Sequence, residues 1–388
     1  MSQTRKVYLD YSATTPVKEE VLQQMIPYFT QNFGNPSSLY TIGLEAKAAV
    51  DKARAQVAHL IGADPSELYF DGGGSESDNW TIFGVADAMK KKGKHIITTK
   101  IEHHAILHST EFLEKHGYEV TYLDVNKEGF VDPAALEDAI REDTILVSVM
   151  FVNNEIGTVE PIKELCEIAH KHDVLFHTDA VQAIGNVPID VHDLGVDFMS
   201  MSSHKIYGPK GEGGMYIRKG VRIPSFIHGG AQEKGKRAGT ENLAGIVGFG
   251  AAAELAEQNL EHHRKHCSEL RDYLMDRITA EIPDVIVNGP SDHSKRHPGN
   301  LNVTFAKIEG ESILLLLDSF GIAVYTGSAC SSKSLKPSHV LSAIGVSDEL
   351  IHGSVRFTVG DFTTKEDLDY TVDCLKAVVS RLREISLL

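Results

Sequence analysis

The sequence has few cysteines and no long hydrophobic run. Its four cysteines, at positions 166, 267, 330 and 374, have no spacing typical of a metal site or a disulfide framework, so we expect reduced thiols. No apolar stretch approaches the roughly 20 residues that a membrane-spanning helix requires. The amino terminus also lacks the apolar core and cleavage pattern of a signal peptide. Together these absences predict a cytoplasmic protein without a membrane partner.

Positive charge is also scarce. The chain has 38 Lys and Arg against 54 Asp and Glu, a formal net charge of −16, whereas proteins that bind phosphate backbones present basic surfaces. Nucleic acid is therefore not expected as the main partner. Hydrophobic residues make up 42% and charged residues 24%, which is typical of a globular protein, and 388 residues can form two domains with substantial cores.

Short β-rich runs alternate with helical segments through most of the chain. The runs are ELYF, HIITT, EVTYL, TILVSVMFV, VLFH and VDFMSM. This alternation predicts an α/β fold whose large domain has a mostly parallel sheet flanked by helices.

The pattern changes after Thr240. A long helical stretch leads into a smaller α+β region containing VIVN, LNVTF, AVYT and SVRFTV. A final helix is predicted from about Thr363, with Glu366 at capping-box spacing. We predict a large domain over 15–260, and a small domain formed by 1–14 and 261–388.

Lys205 follows the predicted strand VDFMSM, within SSHKIYGPKG. Open α/β sheets place their ligand crevices at such strand ends. A lysine that is desolvated there has a lowered pKa and can form a Schiff base. Anion binding or turn capping is the alternative interpretation.

A glycine turn and an aspartate could meet two further needs of one cofactor. The turn FDGGGSESDNW follows ELYF, and its Gly74 and Ser75 open a predicted helix, whose amino terminus favours an anion such as phosphate. An ordinary tight turn would look the same. Asp179 ends VLFHTD, where it could neutralise a protonated heterocycle nitrogen or cap a helix. With Lys205, these features point to pyridoxal 5′-phosphate.

Two residues in the small domain have possible chemical roles. Cys330 lies among small polar residues near Lys333 and Lys336, where an exposed thiol tends toward the nucleophilic thiolate. Arg356 points away from the apolar face of SVRFTV and could clamp a planar anion. An incidental loop cysteine and a structural ion pair are the respective alternatives.

Two groups of histidines resemble metal-ligand clusters. We favour a cofactor role for the first group and a solvated helix face for the second, and so predict no metal site. The groups are His103, His104 and His108, and His262, His263 and His266 with Cys267.

Ten ordered motifs, from Tyr8 to the final helix, resemble the cysteine desulfurases of the NifS/IscS type, which are class V aminotransferases of fold type I. The motifs are LDYSATTP, FGNPSS, SESDN, EHHA, VNNEIG, HTDAVQ, SSHKIYGPKG, RAGTEN, TGSACSS and SVRFTVG. The resemblance implies a seven-stranded sheet, pyridoxal 5′-phosphate as cofactor, and conversion of L-cysteine to L-alanine. It also implies a homodimer that passes sulfur to an acceptor protein such as an iron–sulfur scaffold, for iron–sulfur clusters or other thio-cofactors.

The resemblance assigns a role to each matching residue. Lys205 would carry the cofactor and move the substrate α-proton, and Cys330 would take the sulfur as a persulfide. Arg356 would bind the substrate carboxylate. His103 would stack on the cofactor ring and relay protons, and Asp179 would pair with the pyridine nitrogen.

The remaining roles concern binding. Asn154 and Gln182 would bond the phenolic oxygen and the substrate side of the site, and Gly74 belongs to the cofactor-binding turn. Phosphate contacts would come from Ser75, Ser202 and His204, with Thr240 reaching the phosphate from a partner subunit.

Two other functions fit parts of the pattern. A selenocysteine lyase or related class V aminotransferase would share the cofactor residues but differ in substrate. A non-catalytic platform for iron–sulfur assembly factors would not need Lys205, Asp179 and Cys330 together.

Overall fold

The computed structural model describes residues 5–327 and 337–385. Its strands are β1 (Val7–Tyr8), β2 (Leu68–Asp71), β3 (His95–Thr99), β4 (Glu119–Leu123), β5 (Thr144–Ser148), β6 (Leu175–Asp179), β7 (Phe198–Ser202), β8 (Gly213–Ile217), β9 (Val285–Asn288), β10 (Asn300–Phe305), β11 (Ile322–Ala323) and β12 (Ser354–Thr358). Its α-helices are α1 (Glu19–Met25), α2 (Pro27–Thr30), α3 (Thr41–Leu60), α4 (Gly74–Met89), α5 (His104–Glu114), α6 (Pro133–Ala139), α7 (Ile162–Lys171), α8 (Val191–Leu194), α9 (Leu243–Glu281), α10 (Gly310–Ser319), α11 (His339–Ala343), α12 (Asp348–Ile351) and α13 (Lys365–Ile385).

The large sheet has seven strands among the described residues, in the order β2-β8-β7-β6-β5-β3-β4. Every pairing is parallel except the two made by β8. This architecture confirms the predicted α/β fold class. Because six strands run in the same direction, their carboxyl ends meet at one edge of the sheet, where ligand crevices form.

Both faces of this sheet are buried. Neighbouring residues on β3, Ile96 and Ile97, belong to different hydrophobic clusters, as do Phe198 and Met199 on β7. Successive side chains of a strand point to opposite faces. Helices therefore cover the sheet on each side, which explains why β3, β5, β7 and β8 are buried at every position.

A second sheet, β12-β10-β9, is antiparallel, and its apolar residues pack with α10 and α13 in a separate cluster. The short pair β1-β11 joins the amino terminus to this region. Helix α9 contributes to both cores: its first eleven residues are buried on the large sheet, and Cys267, Leu270 and Leu274 are buried in the small cluster. The domain division near residue 260 stays a prediction.

Two local features differ from the sequence prediction. Strand β8, GGMYI, was not predicted, because its two leading glycines carry no β signal. The capping box of α13 is formed by Thr364 and Asp367, one residue later than predicted, while Thr363 accepts a hydrogen bond from the Gly360 N–H. In the part of the chain that the structure describes, we find no helix long and apolar enough to cross a membrane.

Candidate active site

A cleft of about 360 Å³ opens at the carboxyl-end edge of the large sheet. Strands β6 and β7 end in Asp179 and Ser202, which both line it. The structure brings ten of the twelve predicted site residues together around this cleft. They are Gly74, Ser75, His103, Asn154, Asp179, Gln182, Ser202, His204, Lys205 and Arg356.

Lys205 ends the single 3₁₀ turn, Ser203–Lys205, that follows β7. Its ammonium donates to the carbonyl oxygens of Ser12 and Ala13, the latter at 3.0 Å. The Gln182 amide also donates to the Ser12 carbonyl, at 2.9 Å. The amino-terminal segment therefore holds the lysine and the glutamine at one point of the cleft.

Asp179 is a buried carboxylate, 5% exposed. Its Oδ1 accepts a hydrogen bond of 2.9 Å from the Val181 N–H. Burial raises the pKa of Asp179, while His103 and Lys205 act to lower it. A buried carboxylate is costly without a positive partner, and the protonated nitrogen of a bound heterocycle would supply one.

His103 is the N-cap of α5, where its Nδ1 accepts a hydrogen bond of 3.1 Å from the Ala105 N–H. The lone pair on Nδ1 is therefore used, and the proton of the neutral ring lies on Nε2. Burial lowers the pKa of His103, although the charge of Asp179 opposes this shift. These features fix one neutral tautomer facing the cleft.

The amino terminus of α4 also lines the cleft, through Gly74 and Ser75. Gly73, immediately before this helix, has φ +134°, which favours glycine. A Cβ on Gly74 would overlap the Val181 Cγ2 atom, so the backbone approaches the segment after Asp179 closely. Free N–H groups and the helix dipole make this end a site for an anion.

His204 is a further residue that lines the cleft. Its Nδ1 lies 3.0 Å from the Thr14 hydroxyl. Burial and then the charge of Lys205 lower the pKa of His204 to about 4, so the ring is neutral near pH 7. It therefore offers a phosphate a hydrogen bond rather than a charge.

Arg356, on β12, is buried at the side of the cleft. One guanidinium nitrogen donates to Asp10 at 2.7 Å, another donates to the Asn154 carbonyl at 2.8 Å, and the plane lies over the Tyr325 ring. Its Nε is buried and has no hydrogen-bond partner among the described residues. An unsatisfied buried donor is unfavourable, and a bound carboxylate would satisfy it.

Two predicted residues are not part of this cleft. Thr240 lines a separate pocket with Asp71 and Arg237. Cys330 lies outside the described residues. Sequence reasoning also missed the roles of Ser12 and Ala13, although both belong to the quoted motif LDYSATTP, because a backbone carbonyl leaves no side-chain signal.

The prediction that the second histidine group forms a solvated helix face is wrong for His263 and Cys267. His262 is exposed, but Cys267 is fully buried and the His263 side chain is only 13% exposed. His263 bonds Asp361 and Asn186 instead of solvent. The charged residues around it in EHHRKHCSEL made this helix look more exposed than it is.

The residues of the cleft fit pyridoxal 5′-phosphate. Lys205 supplies the amine for an aldehyde, Asp179 a carboxylate for a ring nitrogen, and the start of α4 an anion cradle. The distinctive observation is the Asp179 carboxylate, which is buried and whose described hydrogen bond comes from the Val181 N–H. Its burial is explained by a cationic ring nitrogen.

Comparisons with known proteins show the family to which the chain belongs. The profile of the family described as "Aminotransferase class-V" matches residues 7–371. The cysteine desulfurase IscS of Dictyoglomus turgidum is 56% identical over 382 residues, covering 98% of this chain and 96% of that protein. The cysteine desulfurase IscS of Methanosarcina thermophila is 54% identical over 385 residues, covering 99% and 95%. A solved structure of a NifS-like protein is 39% identical with a TM-score of 0.92, covering 97% of this chain and all of that one.

Proposed function

The chain belongs to the class-V aminotransferase family, among the pyridoxal phosphate-dependent cysteine desulfurases, and we propose that the cleft around Lys205 converts L-cysteine to L-alanine. The observation that supports this site most strongly is the convergence of an amine, a buried carboxylate and a buried guanidinium on one cleft. When bound, pyridoxal 5′-phosphate withdraws electrons from the substrate α-carbon. The protein must then bind, orient and move protons.

Lys205 would hold the cofactor through its amine, and that amine, when free, would serve as a base for the substrate α-proton. The carbonyls of Ser12 and Ala13 accept hydrogen bonds from its ammonium, so they stabilise Lys205 once it has taken up a proton. His103, neutral with its proton on Nε2, is placed to donate a hydrogen bond into the cleft. Proton transfer therefore has a nearby base and a nearby neutral donor.

Arg356 binds the substrate α-carboxylate. Its Nε has no hydrogen-bond partner among the described residues, and its Nη2 carries a second N–H besides the one that donates to Asp10; bidentate pairing of a guanidinium with a carboxylate uses two such N–H groups. The Asn154 carbonyl and Asp10 hold the other donors and so fix the plane of the guanidinium. This clamp orients the Cα–H bond and the thiol of L-cysteine.

Cys330 accepts the sulfur. Its thiolate attacks the sulfur of the bound substrate, the carbon–sulfur bond breaks, and the bonding pair stays with the carbon skeleton, which is protonated and released as L-alanine. The sulfur atom remains on Cys330 as a persulfide. The part of the structure that flanks Cys330, ending at Gly327, supports this role, because Tyr325 lines the cleft.

The protein works as a homodimer in this proposal. Thr240 lines a pocket separate from this cleft, which supports a contact with the cofactor phosphate of a partner subunit. Large apolar side chains are also exposed from α1 to the start of α3, including the connecting segments, more than scattered surface residues would explain. They are Leu22, Ile26, Phe29, Phe33, Leu39, Tyr40, Ile42 and Leu44.

We further propose that the persulfide passes its sulfur to an acceptor protein such as an iron–sulfur scaffold, in the cytoplasm. The relatives given above are named cysteine desulfurases, which supports the release of sulfur from L-cysteine that this role requires. A protein that releases its sulfur only to small thiols would instead supply sulfide.

The test is incubation of the pure protein with L-cysteine and a reductant, with alanine and sulfide measured separately. The Cys330→Ala variant should keep the yellow colour of its bound cofactor and release almost no sulfide. Cys374→Ala, which alters a partly buried thiol on α13, is the matched control and should retain turnover. Full sulfide release by Cys330→Ala would remove that residue from the reaction. Faster turnover of selenocysteine than of cysteine would instead favour a selenocysteine lyase.

A further inference from the structure

His263 lies on the far side of Lys205 from the cleft, next to a small cavity that both residues line. Its Nε2 is 2.9 Å from the Asn186 Oδ1, and its Nδ1 is hydrogen-bonded to the Asp361 carboxylate. The Cys267 sulfur lies 3.8 Å from the ring, one helical turn away on α9. Neither ring nitrogen is left for solvent.

The hydrogen bonds determine the charge of this ring. The Asn186 amide group donates to the carbonyls of Gln182 and Ile184, both at 3.3 Å, so its Oδ1 is an acceptor and the His263 Nε2 carries a proton. A second proton, on Nδ1, donates a hydrogen bond to the Asp361 carboxylate. A ring with both nitrogens protonated is an imidazolium.

Electrostatic surroundings agree with this protonation state. Burial acts to lower the pKa of His263, but the Asp361 carboxylate and the Cys267 thiol outweigh it and raise that pKa to about 10. Burial opposes the charge of Asp361 as well, yet His263 and Lys18 hold the pKa of Asp361 well below its usual range. His263, Asp361 and Lys18 therefore form a row of cation, anion and cation.

This row joins the segments that follow three residues of the cleft. Asn186 lies in the turn after Asp179, and Asp361 lies just beyond the strand that carries Arg356. The N–H of Asp361 donates to the Tyr207 hydroxyl at 2.7 Å, and Tyr207 follows Lys205 by two residues.

Tyr207 itself is held in an uncommon conformation. Its φ is +66°, a left-handed value that a bulky residue adopts only when its surroundings enforce it. The Thr15 hydroxyl accepts its N–H at 2.9 Å, and the Lys18 ammonium lies 4.6 Å from the centre of its ring. Asp361 therefore helps to fix the chain immediately after Lys205.

We propose that His263 is a positioning residue: its imidazolium ties Asn186 to Asp361 and thereby fixes the Lys205 turn relative to the Arg356 strand. The separation between amine and guanidinium across the cleft depends on this contact. The inference rests on the proposed function, because it assigns Lys205 and Arg356 to the two ends of one substrate.

The test compares His263→Gln with His262→Gln, a change at the exposed neighbour on the same helix. Because a misplaced guanidinium weakens substrate binding more than cofactor binding, His263→Gln should raise the KM for L-cysteine about 10-fold or more and leave the cofactor Kd within about 2-fold. His262→Gln should change neither. Asp361→Asn should raise KM similarly, and the double variant should cost less than the two single effects combined.

Either of two measurements on the protein itself could overturn the proposal. The first is a lower melting temperature for His263→Gln with unchanged KM and kcat, which would show a purely structural role. The second is a ¹⁵N NMR spectrum in which His263 carries a single proton at neutral pH, a measurement that needs no turnover. If the unaltered protein formed no alanine from L-cysteine, the proposed function would be contradicted instead. The NMR spectrum and the Kd of each variant for L-alanine would still test the role of His263.

A metal ion is a competing occupant of this cluster, since ligand atoms of His263, Cys267 and Asp361 lie within 4.8 Å of one another. A metal ligand must be a neutral imidazole with a free lone pair, which conflicts with two protonated nitrogens. Stoichiometric zinc in the purified protein that disappears in His263→Gln would also overturn the proposal.

Discussion

The Arg356 guanidinium donates to the Asp10 carboxylate at 2.7 Å and leaves its buried Nε without a hydrogen-bond partner among the described residues. Asp10 lies near the amino terminus and Arg356 near the end of the chain, so the two ends of the sequence build one side of the cleft. The arginine is thus oriented but not saturated, and it keeps a donor for an incoming carboxylate.

Replacing Arg356 by lysine should impair substrate binding selectively. Lysine keeps the positive charge but loses the fork of donors, and a hydrogen bond to a charged group contributes about 1.5–3 kcal/mol, so the KM for L-cysteine should rise about 10- to 150-fold. Cysteamine, which lacks a carboxylate, should bind both proteins equally. Arg222→Lys, at an exposed position, is the control. Equal KM values for L-cysteine would exclude Arg356 from carboxylate binding.

The carboxylate of Asp179 should matter for turnover more than for cofactor retention. Asp179→Asn keeps the shape and the acceptor for the Val181 N–H but cannot stabilise a cationic ring nitrogen. Removing such preorganised electrostatic stabilisation typically costs about 100-fold or more in rate. Single-turnover formation of alanine, monitored beside the cofactor absorbance, measures both effects. A variant that binds cofactor and reacts at the normal rate would refute this role.

Gly74 should be intolerant of a side chain because of Val181. In Gly74→Ala the new methyl group would overlap the Val181 Cγ2 atom. Overpacking of this kind costs about 1–3 kcal/mol, so the free energy of unfolding of the cofactor-free protein should fall by that amount. In a Val181→Ala background the same Gly74→Ala change should cost much less. Denaturant unfolding of the cofactor-free variants gives the values, and an equal cost in both backgrounds would mean that the loss has another cause.

Asp71 should make stability fall as the pH rises. Burial raises its pKa from 3.8 to about 8, so the folded protein keeps a proton that the unfolded chain releases. The folded state binds more protons between about pH 4 and pH 8, and the free energy of unfolding therefore decreases across that range. Glu160 and Glu212, with pKa values raised by burial to about 8, act in the same direction.

Asp71→Asn mimics the protonated carboxyl, since its amide can accept from the Gly73 N–H and donate to the Ser77 hydroxyl. The melting temperature of this variant should fall less than that of the unaltered protein between about pH 6 and pH 9. Asp51→Asn, at an exposed ion pair with Lys47, should leave the slope unchanged. Parallel slopes for Asp71→Asn and the unaltered protein would contradict the prediction.

Apolar composition was enough to locate most of the large sheet. HIITT and EVTYL coincide with β3 and β4 because β-branched and aromatic residues are enriched in strands. GGMYI was missed because its strand depends on pairing between β2 and β7 rather than on its own residues. The same reason hides its antiparallel direction, which only tertiary structure specifies.

Site residues divide in a similar way. Those that carry chemistry in their side chains, such as Lys205 and Asp179, could be found from their positions after strands. The carbonyls of Ser12 and Ala13 could not, since backbone groups are the same in every residue. His263 was misread because its partners, Asn186 and Asp361, are distant in sequence, and nothing local distinguishes a buried histidine from the exposed one beside it.

Helix α9 has 39 residues and is about 58 Å long at 1.5 Å per residue. One rod thus supplies apolar side chains to two cores, and neither core could be excised without cutting an element that the other needs. We expect the protein to melt in a single calorimetric transition, and its two halves, expressed separately, to remain unfolded until they are mixed.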